Sequence, residues 1–392
     1  MPLIIATILR EEGATGVQTH VQELRRYLDR TGEPAVLVTP FSAGYLLAAP
    51  VFGLRLALVH LSGAASVLWY RHWHEAFLRR ALRRRLAKTG ECVIYAQGPE
   101  AARAALRARR GPHQRVVMAV HFKTSHADEW ATVAIKSNGA VYRAIRRAER
   151  ATITRLDGLV YVSQWARDAL LSWLPEAADV PDAVISNFIT APRPETEVRS
   201  RGDLVTVGGL SPVKNHRYLL EILAAARRAG RHLTLDVYGA DGRCTKALLR
   251  QARALGLQQQ VRWRGARQDV RELLPGYRAY VHASYSESSS FAIIEAMAAG
   301  LPIVTGKTGG IAEICDDSAE ARYWPLDDAT RAARVLIDLL DCEPDRQACA
   351  KAATARFHRD FSAEVLGPRL RDFLINGDRR MPAAQAEMLG RQ

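Results

Sequence analysis

Short apolar runs alternate along the chain with longer segments in which apolar residues recur every three or four positions. The first run, Leu3–Leu9, predicts a buried strand, and the segment Val17–Arg30 predicts an amphipathic helix with Val21, Leu24 and Leu28 on one face. The alternation continues with predicted strands at Ala35–Val38, Cys92–Tyr95, Val116–Val120 and Leu159–Val162 and predicted helices at Trp73–Lys88, Glu100–Arg109 and Val141–Arg155. Because short buried strands that alternate with helices are typical of a parallel sheet, this half of the chain predicts an α/β domain.

A second series of the same kind follows a break in the pattern. One more strand is predicted at Ala183–Ser186, and residues 189–202 contain Pro192 and Pro194 among alternating charges, which indicates a linker. The second series has predicted strands at Leu204–Val207, Leu233–Val237, Gln260–Trp263, Ala279–His282 and Pro302–Val304 and predicted helices at Asn215–Ala229, Cys244–Leu255 and Phe291–Ala299. Three further helices are predicted at Ala329–Leu340, Pro344–Phe357 and Ala363–Leu374, ahead of a polar tail from Asn376.

This organisation predicts two Rossmann-like α/β domains whose parallel sheets face a central cleft. We expect the first domain at residues 1–192 and the second at 193–360. Residues 361–392 are expected to form a helix that packs near the first domain or crosses back to it, followed by a frayed tail. Ligands of open α/β sheets bind beyond the carboxyl ends of the strands, so the cleft is the expected ligand site.

The composition is that of an ordinary globular protein, because 48% of the 392 residues are hydrophobic and 24% are charged. The five cysteines are odd in number and scattered, with no C-x-x-C pair and no zinc spacing, which predicts free thiols in a reducing compartment. Met1–Leu9 lacks a basic lead and a cleavage site, and Pro50, Arg55 and His60 interrupt the longest apolar stretch, Tyr45–Leu68. We therefore expect no signal peptide, no membrane-spanning helix and a cytoplasmic location.

The net charge of +14 limits the classes of partner that the chain attracts. Nucleic acid, an anionic membrane surface and anionic small substrates each match this charge. The basic residues are densest between Arg71 and Arg110. A solvated helix face is an equally good interpretation of that cluster.

One segment, from Ser284 to Glu313, has a pattern that points to chemistry. Glu287 and Glu295 are eight positions apart, and three serines at 288–290 precede an apolar helix. Serines are good helix caps, and the unpaired N–H groups and the dipole of a helix N-terminus bind a diphosphate. Glu287 falls in the loop before the helix and Glu295 in its second turn, where carboxylates accept hydrogen bonds from sugar and ribose hydroxyls. The spacing of the two glutamates alone favours a capped helix with two surface glutamates, so the surrounding residues decide the interpretation.

The string that starts at Glu287, E-S-S-S-F-A-I-I-E-A-M-A-A-G-L-P-I-V, then G-G and E, resembles the donor-site signature of GT-B glycosyltransferases. The match is to the large retaining group called family 4, or glycosyl transferases group 1. Other segments resemble the landmarks of that family in the same order: the glycine loop Thr15–Val21, the strand and basic loop Val207–Asn215, and the strand ends Val237–Gly239 and Val261–Gly265. The resemblance covers the second domain well and the first in patches, as expected when the first domain binds a variable acceptor.

The resemblance implies roles for individual residues. Glu287 matches a glutamate near the donor sugar and His121 a histidine beside the reacting sugar, and we predict both to be catalytic. Glu295 matches the residue that holds the ribose, and Lys214 the cation paired with the donor phosphates. Further predicted donor-binding residues are Gly16, Ser289, Ser290, Phe291, Gly239, Ala266 and Arg267. Without the resemblance, His121 is more often a structural histidine and Lys214 a solvated lysine.

Gly209 departs from the family pattern. The family has an arginine at this position, five residues before Lys214, that shares the phosphate charge. Arg217 and Arg10 are the candidate substitutes for its charge.

The resemblance also implies transfer with retention of configuration, without a metal and without any other cofactor. The sequence has no D-x-D motif, and we interpret the pairs Asp316-Asp317 and Asp327-Asp328 as turn or cap residues. We therefore predict no metal site.

An apolar stretch, Val51–Leu61, and a basic helix, Trp73–Lys88, form a candidate membrane surface. Three aromatic residues lie at their junction: Trp69, Tyr70 and Trp73. Basic amphipathic helices with aromatic residues suit an anionic membrane, although packing of Trp73, Phe77 and Leu82 on the sheet explains the pattern equally well. This region resembles bacterial exopolysaccharide glycosyltransferases, which build on lipid-linked acceptors at the cytoplasmic face. The expected partners are a nucleotide-sugar donor, a glycan or lipid-linked acceptor and an anionic membrane, but no nucleic acid.

Three alternatives stay open at this point. Another GT-B enzyme, such as a nucleotide-sugar epimerase or a sugar-phosphate synthase, has the same kind of donor site. A basic nucleic-acid-binding or membrane-binding protein fits the charge but leaves the second domain unexplained. An inactive partner subunit is supported by Gly209 alone. A dehydrogenase is disfavoured because no G-x-G-x-x-G follows a predicted strand.

Overall fold

The structure, a computed structural model, describes residues 1–13, 15–192, 200–315 and 319–377. The chain divides into two compact units. The first unit comprises residues 1–186 together with the described residues from 367 onward, and the second comprises residues 187–366. Pro194 of the predicted linker and the predicted tail beyond residue 377 lie outside the described residues.

Ile189 explains why the first unit ends ahead of the predicted boundary at residue 192. Its backbone N–H donates to Phe361 O at 3.2 Å, and its carbonyl accepts from Ala363 N at 2.9 Å. Its side chain is fully buried in the core of the second unit. The chain therefore joins the second unit before the proline-containing segment begins.

The first unit is built on a six-stranded parallel sheet with the strand order β2-β1-β3-β4-β5-β6. The strands are β1 (Leu3–Ala6), β2 (Val36–Val38), β3 (Cys92–Gln97), β4 (Gln114–Val120), β5 (Gly158–Tyr161) and β6 (Asp182–Val184). The helices are α1 (Gly16–Arg30), α2 (Tyr45–Leu61), α3 (Gly63–Leu86), α4 (Pro99–Ala108), α5 (His126–Ala131), α6 (Ala140–Ile153) and α7 (Gln164–Leu171).

The second unit has a six-stranded parallel sheet with the order β12-β11-β10-β7-β8-β9. The strands are β7 (Gly202–Val207), β8 (Leu235–Tyr238), β9 (Val261–Gly265), β10 (Tyr277–His282), β11 (Ile303–Thr305) and β12 (Ala321–Tyr323). The helices are α8 (His216–Arg228), α9 (Thr245–Ala254), α10 (Val270–Leu273), α11 (Phe291–Ala298), α12 (Ile311–Ile314), α13 (Ala329–Asp341), α14 (Glu343–Arg356) and α15 (Ala363–Asn376), and the residues of α15 from Gly367 onward belong to the first unit.

Alternate residues of the strands in the second unit pack on opposite faces of its sheet. Leu204 and Val281 belong to one buried cluster, whereas the neighbouring Val205 and Tyr280 belong to another. This period of two, with both faces covered by helices, is the pattern of a buried parallel sheet. The two sheets confirm the predicted α/β architecture.

The structure contains elements that the pattern did not predict. The helix α2 forms although Pro50, Arg55 and His60 interrupt its apolar residues, and α3 begins at Gly63 rather than at Trp73 because Ser62 Oγ accepts a hydrogen bond from Ala65 N at 3.2 Å. The short elements α7 and β12 were also not predicted. Within the described ranges, no helix is both long and apolar enough to cross a membrane.

Candidate active site

The predicted donor-site residues of the second unit follow the carboxyl ends of four neighbouring strands. Lys214 comes after β7, Gly239 after β8, Ala266 and Arg267 after β9, and Glu287 after β10. Because β10, β7, β8 and β9 are adjacent and parallel, the loops that follow them share one edge of the sheet. The strand order therefore assembles residues that are far apart in the sequence.

Ser290 occupies the N-cap position of α11 without capping it. Its backbone is extended, at φ −100° and ψ 107°, but its hydroxyl accepts no hydrogen bond from the first turn. The prediction that a serine occupies the N-cap of this helix is therefore confirmed in position, although the Ser290 hydroxyl makes no cap hydrogen bond. Its Oγ is instead buried with no hydrogen-bond partner. A buried hydroxyl of this kind, beside first-turn N–H groups that have no partner within the helix, suits an anionic ligand.

The two residues on either side of Ser290 offer backbone atoms at the helix N-terminus. The ring of Phe291 packs in the core of the second unit, so its backbone N–H is the group that it presents there. The carbonyl of Ser289 accepts a hydrogen bond from Asn187 Nδ2 at 3.4 Å. Contacts of these two residues with a donor would therefore be made by the main chain.

Glu287 lies beside two basic side chains. Lys214 Nζ is 2.6 Å from Glu287 Oε1, and His282 Nε2 is 3.3 Å from the same oxygen. Burial raises the pKa of Glu287, but the neighbouring His282 and the charge of Lys214 outweigh it and hold this pKa well below its ordinary value. Burial lowers the pKa of His282, so its imidazole is neutral near pH 7 and Lys214 provides the compensating charge.

A glycine turn holds the backbone of Glu287. Gly310 N donates to Glu287 O at 2.8 Å, and the preceding Gly309 has φ of +54°. A Cβ at position 309 would lie 2.4 Å from Glu287 O. Glycine is thus required here both by the backbone conformation and by the close approach of the two chains.

Glu295 lies in the second turn of α11, as the sequence predicts, and pairs with Arg271. Arg271 Nη2 is 2.8 Å from Glu295 Oε1. The neighbours of Glu295 on the helix, Ile294 and Ala296, are fully buried. The carboxylate therefore lies at the edge of the core, where it pairs with the guanidinium of Arg271 on α10.

Gly239 is explained by packing between strand ends. A Cβ at this position would lie 2.0 Å from Gly208 O, and Gly239 N donates to Gly265 O at 2.9 Å. The loops after β7, β8 and β9 approach each other closely because these positions lack side chains. A contact of Gly239 with a donor is not needed to explain the residue.

Ala266 and Arg267 lie on the exposed loop after β9. Arg267 donates to both carboxylate oxygens of Asp269, at 2.8 and 2.5 Å. This bidentate pair fixes the guanidinium within its own loop. The backbone of the loop remains the part that is suited to contact a base.

Gly209 leaves space where the family has an arginine. The nearest atom to a Cβ at this position is Ala240 O, at 3.9 Å. Of the candidate substitutes, Arg217 is 76% exposed on α8 and pairs with Glu221 at 3.0 Å, and Arg10 belongs to the first unit. Within the second unit, Lys214 is the predicted phosphate-binding cation that lies beside Glu287.

Gly16 is the first residue of α1, which follows the carboxyl end of β1. Thr15 and Gln18 form a capping box: Thr15 Oγ1 accepts from Gln18 N at 3.3 Å, and Gln18 Oε1 accepts from Thr15 N at 3.2 Å. Gly16 therefore presents a helix start without a side chain, as the predicted role requires.

His121 follows the last residue of β4 in the first unit. Its Nε2 is 2.8 Å from Gln97 Oε1, and its ring meets the ring of His20 edge-on with centroids 4.7 Å apart. Burial, together with the neighbouring His20 and His126, lowers the pKa of His121 well below its ordinary value. His121 is therefore a neutral hydrogen-bonding group near pH 7.

Only one of the two aspartate pairs that the sequence analysis interpreted as turn or cap residues lies in the described part of the chain. Asp328 is the N-cap of α13, where its Oδ1 accepts from Thr330 N and Arg331 N at 3.0 Å each, which confirms the interpretation as a cap residue for Asp328. The pair at 316–317 lies outside the described residues. Among the residues that the structure describes, no group of three or more His, Cys, Asp or Glu side chains is arranged to hold a metal ion.

Sequence reasoning missed three residues that contact the predicted site residues: His282, Arg271 and Gln97. His282 and Gln97 end strands at the ligand edge of their sheets, and this position was an available signal. Arg271 gave no signal, because nothing in the sequence distinguishes it from the other arginines of this basic chain.

Solved structures of glycosyltransferases share the fold of this chain. Sucrose-phosphate synthase from Thermosynechococcus elongatus matches with a TM-score of 0.72 at 15% identity, over 96% of this chain and 100% of that chain. Anabaena HepE in complex with UDP matches with a TM-score of 0.67 at 17% identity, again over 96% and 100%. Two α/β units with parallel sheets and these structural relatives define the GT-B fold.

Family models match both halves of the chain. The model of Glycosyltransferase Family 4 matches residues 14–193, and that of Glycosyl transferases group 1 matches residues 190–356. Glycogen synthase of Mycobacterium tuberculosis is 30% identical over 251 residues, which are 62% of this chain and 60% of that protein. The GtfA subunit of the UDP-N-acetylglucosamine–peptide N-acetylglucosaminyltransferase of Streptococcus gordonii is 29% identical over 130 residues, which are 33% of this chain and 24% of that protein. The matches thus span less than two thirds of these relatives. The first half of the chain thus matches Glycosyltransferase Family 4 and the second half Glycosyl transferases group 1, and together the two matches support a family 4-like glycosyltransferase of GT-B fold.

Proposed function

We propose that the chain is a retaining, metal-independent glycosyltransferase that moves a sugar from a nucleoside diphosphate sugar to an acceptor hydroxyl. One observation carries the proposal: the ion pair of Lys214 and Glu287, at 2.6 Å, beside the N-terminus of α11, where the hydroxyl of Ser290 is buried without a partner. An ammonium, a helix N-terminus and a free hydroxyl together suit a diphosphate, and a carboxylate suits the hydroxyls of a sugar.

The chemistry follows from where charge develops. When the bond between the sugar C1 and the phosphate oxygen breaks, negative charge grows on the diphosphate and positive charge on the sugar ring. Lys214 and the first-turn N–H groups are preorganised to stabilise the diphosphate. The acceptor oxygen forms the new bond to C1 on the face that the diphosphate leaves, and its proton passes to the departing phosphate oxygen. This path retains the configuration and needs no side-chain nucleophile.

Glu287 and His121 have supporting roles in this scheme. The low pKa of Glu287 keeps the carboxylate ionised near pH 7, where it accepts hydrogen bonds from the sugar hydroxyls and stabilises positive charge on the ring. His121 is neutral and hydrogen-bonds the reacting sugar without transferring a proton. Glu295 accepts hydrogen bonds from the ribose.

The identity of the donor class is supported by the relatives. Anabaena HepE was solved with UDP and with UDP-glucose, and the pneumococcal O-GlcNAc transferase GtfA was solved with UDP and GlcNAc. A nucleoside diphosphate sugar is accordingly the donor that we propose here. Incubation with UDP-glucose or GDP-mannose, a membrane lipid extract and EDTA, followed by NMR of the product, tests the reaction. An α-linked product supports retention and metal independence, and a β-linked product contradicts retention.

We further propose that the acceptor is a lipid-linked glycan of cell-surface or exopolysaccharide biosynthesis, reached by peripheral contact with the cytoplasmic face of an anionic membrane. The inner face of α3 packs on the core of the first unit and contains Leu78 and Leu82, both fully buried. The opposite face carries the residues that line a groove of about 470 Å³, and these are Trp73, Ala76, Phe77, Arg79, Arg80, Arg83 and Arg84. Leu82 therefore packs in the core of the first unit, whereas Trp73 and Phe77 are half-buried and line the groove.

The preceding helix adds exposed apolar side chains to this candidate membrane surface. Leu54 and Val59 are each 51% exposed, Leu61 is 80% exposed, and Leu68 at the start of α3 is 47% exposed. Trp69 joins the two helices through a hydrogen bond from its Nε1 to Val51 O at 2.8 Å. Exposed apolar residues followed by aromatic residues and arginines complement the acyl boundary and the anionic headgroups of a bilayer.

A further inference from the structure

Arg271 and Glu295 connect two elements of the second unit that the donor site requires. Arg271 lies on α10, in the segment that follows the loop of Ala266 and Arg267, and Glu295 lies on α11. Arg271 Nη2 is 2.8 Å from Glu295 Oε1, and the two side chains are only 20% and 16% exposed. Both charges are thus largely removed from water, where a charge-assisted hydrogen bond is strong and directional.

Arg271 is anchored by the residues around it. Val270 and Leu273 of the same short helix, and Leu274 just after it, are buried in a core cluster of the second unit that also contains Ile294. The backbone that carries Arg271 is therefore fixed against the same core as the backbone that carries Glu295.

We propose that Arg271 is a positioning residue that orients Glu295 toward the ribose hydroxyls of the nucleotide. This inference rests on the proposed function, in which Glu295 accepts hydrogen bonds from the ribose. A carboxylate has about four acceptor positions, and the bond from Arg271 uses one of them on Oε1. By fixing the carboxylate plane, Arg271 sets the direction of the carboxylate oxygens, so that the vicinal hydroxyls of a ribose meet a preorganised group.

The position of Arg271 also links ribose recognition to the loop after β9. Ala266 and Arg267 lie on that loop, and Arg267 is fixed within it by Asp269. Arg271 follows two residues after Asp269 and reaches Glu295 from there. One segment, residues 265–271, thus carries both the backbone suited to contact the base and the side chain that orients the ribose ligand.

The experiment compares a ribonucleotide with its deoxy analogue. Binding of UDP or GDP, whichever wild type binds more tightly, and of its 2′,3′-dideoxy analogue is measured by calorimetry for wild type, Arg271→Met, Arg271→Lys and Glu295→Gln. Arg231→Met is the matched control, because Arg231 pairs with Asp341 at the surface of the second unit and has no proposed role in donor binding. Thermal melts of each variant establish that it is folded.

We expect Arg271→Met to weaken binding of the ribonucleotide by about tenfold while changing binding of the dideoxy analogue by less than about twofold. Arg271→Lys should recover part of the loss because it restores a cation, and Arg231→Met should behave as wild type. An equal loss for both ligands in a folded Arg271→Met would mean that Arg271 acts on the phosphates or on folding, and this would overturn the proposal.

The same data separate a failure of this inference from a failure of the proposed function. If Glu295→Gln loses selectivity for the ribonucleotide but Arg271→Met does not, the role of Glu295 stands and the positioning role of Arg271 is wrong. If Glu295→Gln binds both ligands as wild type does, the ribose contact of the proposed function is wrong, and the role of Arg271 is wrong with it.

Discussion

Lys214 Nζ lies 2.6 Å from Glu287 Oε1, so the loop after β7 and the loop after β10 are joined by an ion pair between two predicted site residues. The pair lies beside His282, whose Nε2 is 3.3 Å from the same carboxylate oxygen. Because the His282 imidazole is neutral near pH 7, the charge of Glu287 is balanced chiefly by one lysine. The proposed function therefore requires Lys214 to serve a sugar-binding carboxylate and a diphosphate together.

Replacing Glu287 tests its place in the reaction. Glu287→Ala removes the carboxylate that we assign to the sugar, and we expect turnover to fall by at least about tenfold, since one charged group aligned with the transition state contributes a few kcal/mol. Turnover is measured by transfer from the donor to a lipid acceptor, and folding by circular dichroism. Glu343→Gln, at a 64% exposed surface position, is the control. Near-normal turnover of Glu287→Ala would contradict the proposed role of this carboxylate in the reaction.

The turn at Gly309 gives a second prediction. Gly309→Ala places a Cβ 2.4 Å from Glu287 O at a residue with φ of +54°, so the turn must shift away from the Glu287 loop. We expect the free energy of unfolding to fall by about 1–3 kcal/mol and donor affinity to fall as well. Gly90→Ala is the control, because a Cβ there has no neighbour within 4 Å. Equal stability of the two variants in denaturant titrations would contradict the account.

The sequence was sufficient to predict the elements that carry the site because their residues have strong local signals. The apolar run of α11 and the glycine turn at Gly309 were visible as a pattern, and the predicted strands up to β11 follow from short apolar runs. The helix α2 was missed because Pro50 interrupts its apolar residues, although the helix continues through it. A residue type that usually ends a helix is thus overridden here by the neighbouring structure.

The sequence did not predict which side chains contact each other. The contact of Arg271 with Glu295 joins two elements that are 24 residues apart, and no periodic pattern records such a contact. The sequence likewise predicted that the serines at 288–290 cap the helix, whereas the structure places Ser290 at the N-cap and leaves its hydroxyl without a partner. Residue type predicts what a side chain is able to do, but tertiary packing decides which partner it has.

The candidate membrane surface predicts a salt-dependent attraction to anionic vesicles. Each arginine near an anionic surface contributes about 1 kcal/mol, so Arg80→Gln, Arg83→Gln and Arg84→Gln combined should weaken binding on the order of 100-fold. Trp73→Ser with Phe77→Ser should weaken it through lost apolar contact. Cosedimentation with phosphatidylglycerol-containing vesicles at low salt measures both effects.

The matched control for this surface changes the same number of exposed arginines elsewhere. Arg250, Arg253 and Arg334 lie exposed on α9 and α13 of the second unit. Their combined replacement by Gln should leave vesicle binding within about twofold of wild type if the attraction is local. Equal losses in both triple variants would show attraction by net charge alone, and no binding of wild type would remove the membrane proposal.

Buried histidines predict loss of stability in mild acid. Burial lowers the pKa of His74 and of His216 to about 4, from an ordinary value of 6.5. Between these two values the unfolded chain binds more protons than the folded chain, so stability is present above about pH 6.5 and is lost as the pH falls toward 4. Each histidine contributes a slope of up to about 1.4 kcal/mol per pH unit.

Melting temperatures between pH 7 and pH 4 measure this effect. His74→Gln should reduce the change of stability per pH unit by the contribution of one histidine. The exposed His232→Gln should leave this change as in wild type. A melting temperature that stays constant across this range in wild type would contradict the assignment of these histidines as buried and neutral.

The most direct test of the central claim is calorimetric titration with UDP and GDP, with and without EDTA. We predict micromolar binding of one diphosphate that EDTA does not change, that weakens in Lys214→Ala and that is lost in Glu295→Ala. Measurable residual binding in Lys214→Ala would indicate a substitute for the arginine missing at Gly209, whereas complete loss would mean that Lys214 alone carries this charge. Lys246→Ala, at an exposed position on α9, should bind as wild type does. No binding of either diphosphate, or binding that requires a divalent cation and persists in both variants, would contradict the proposed donor site.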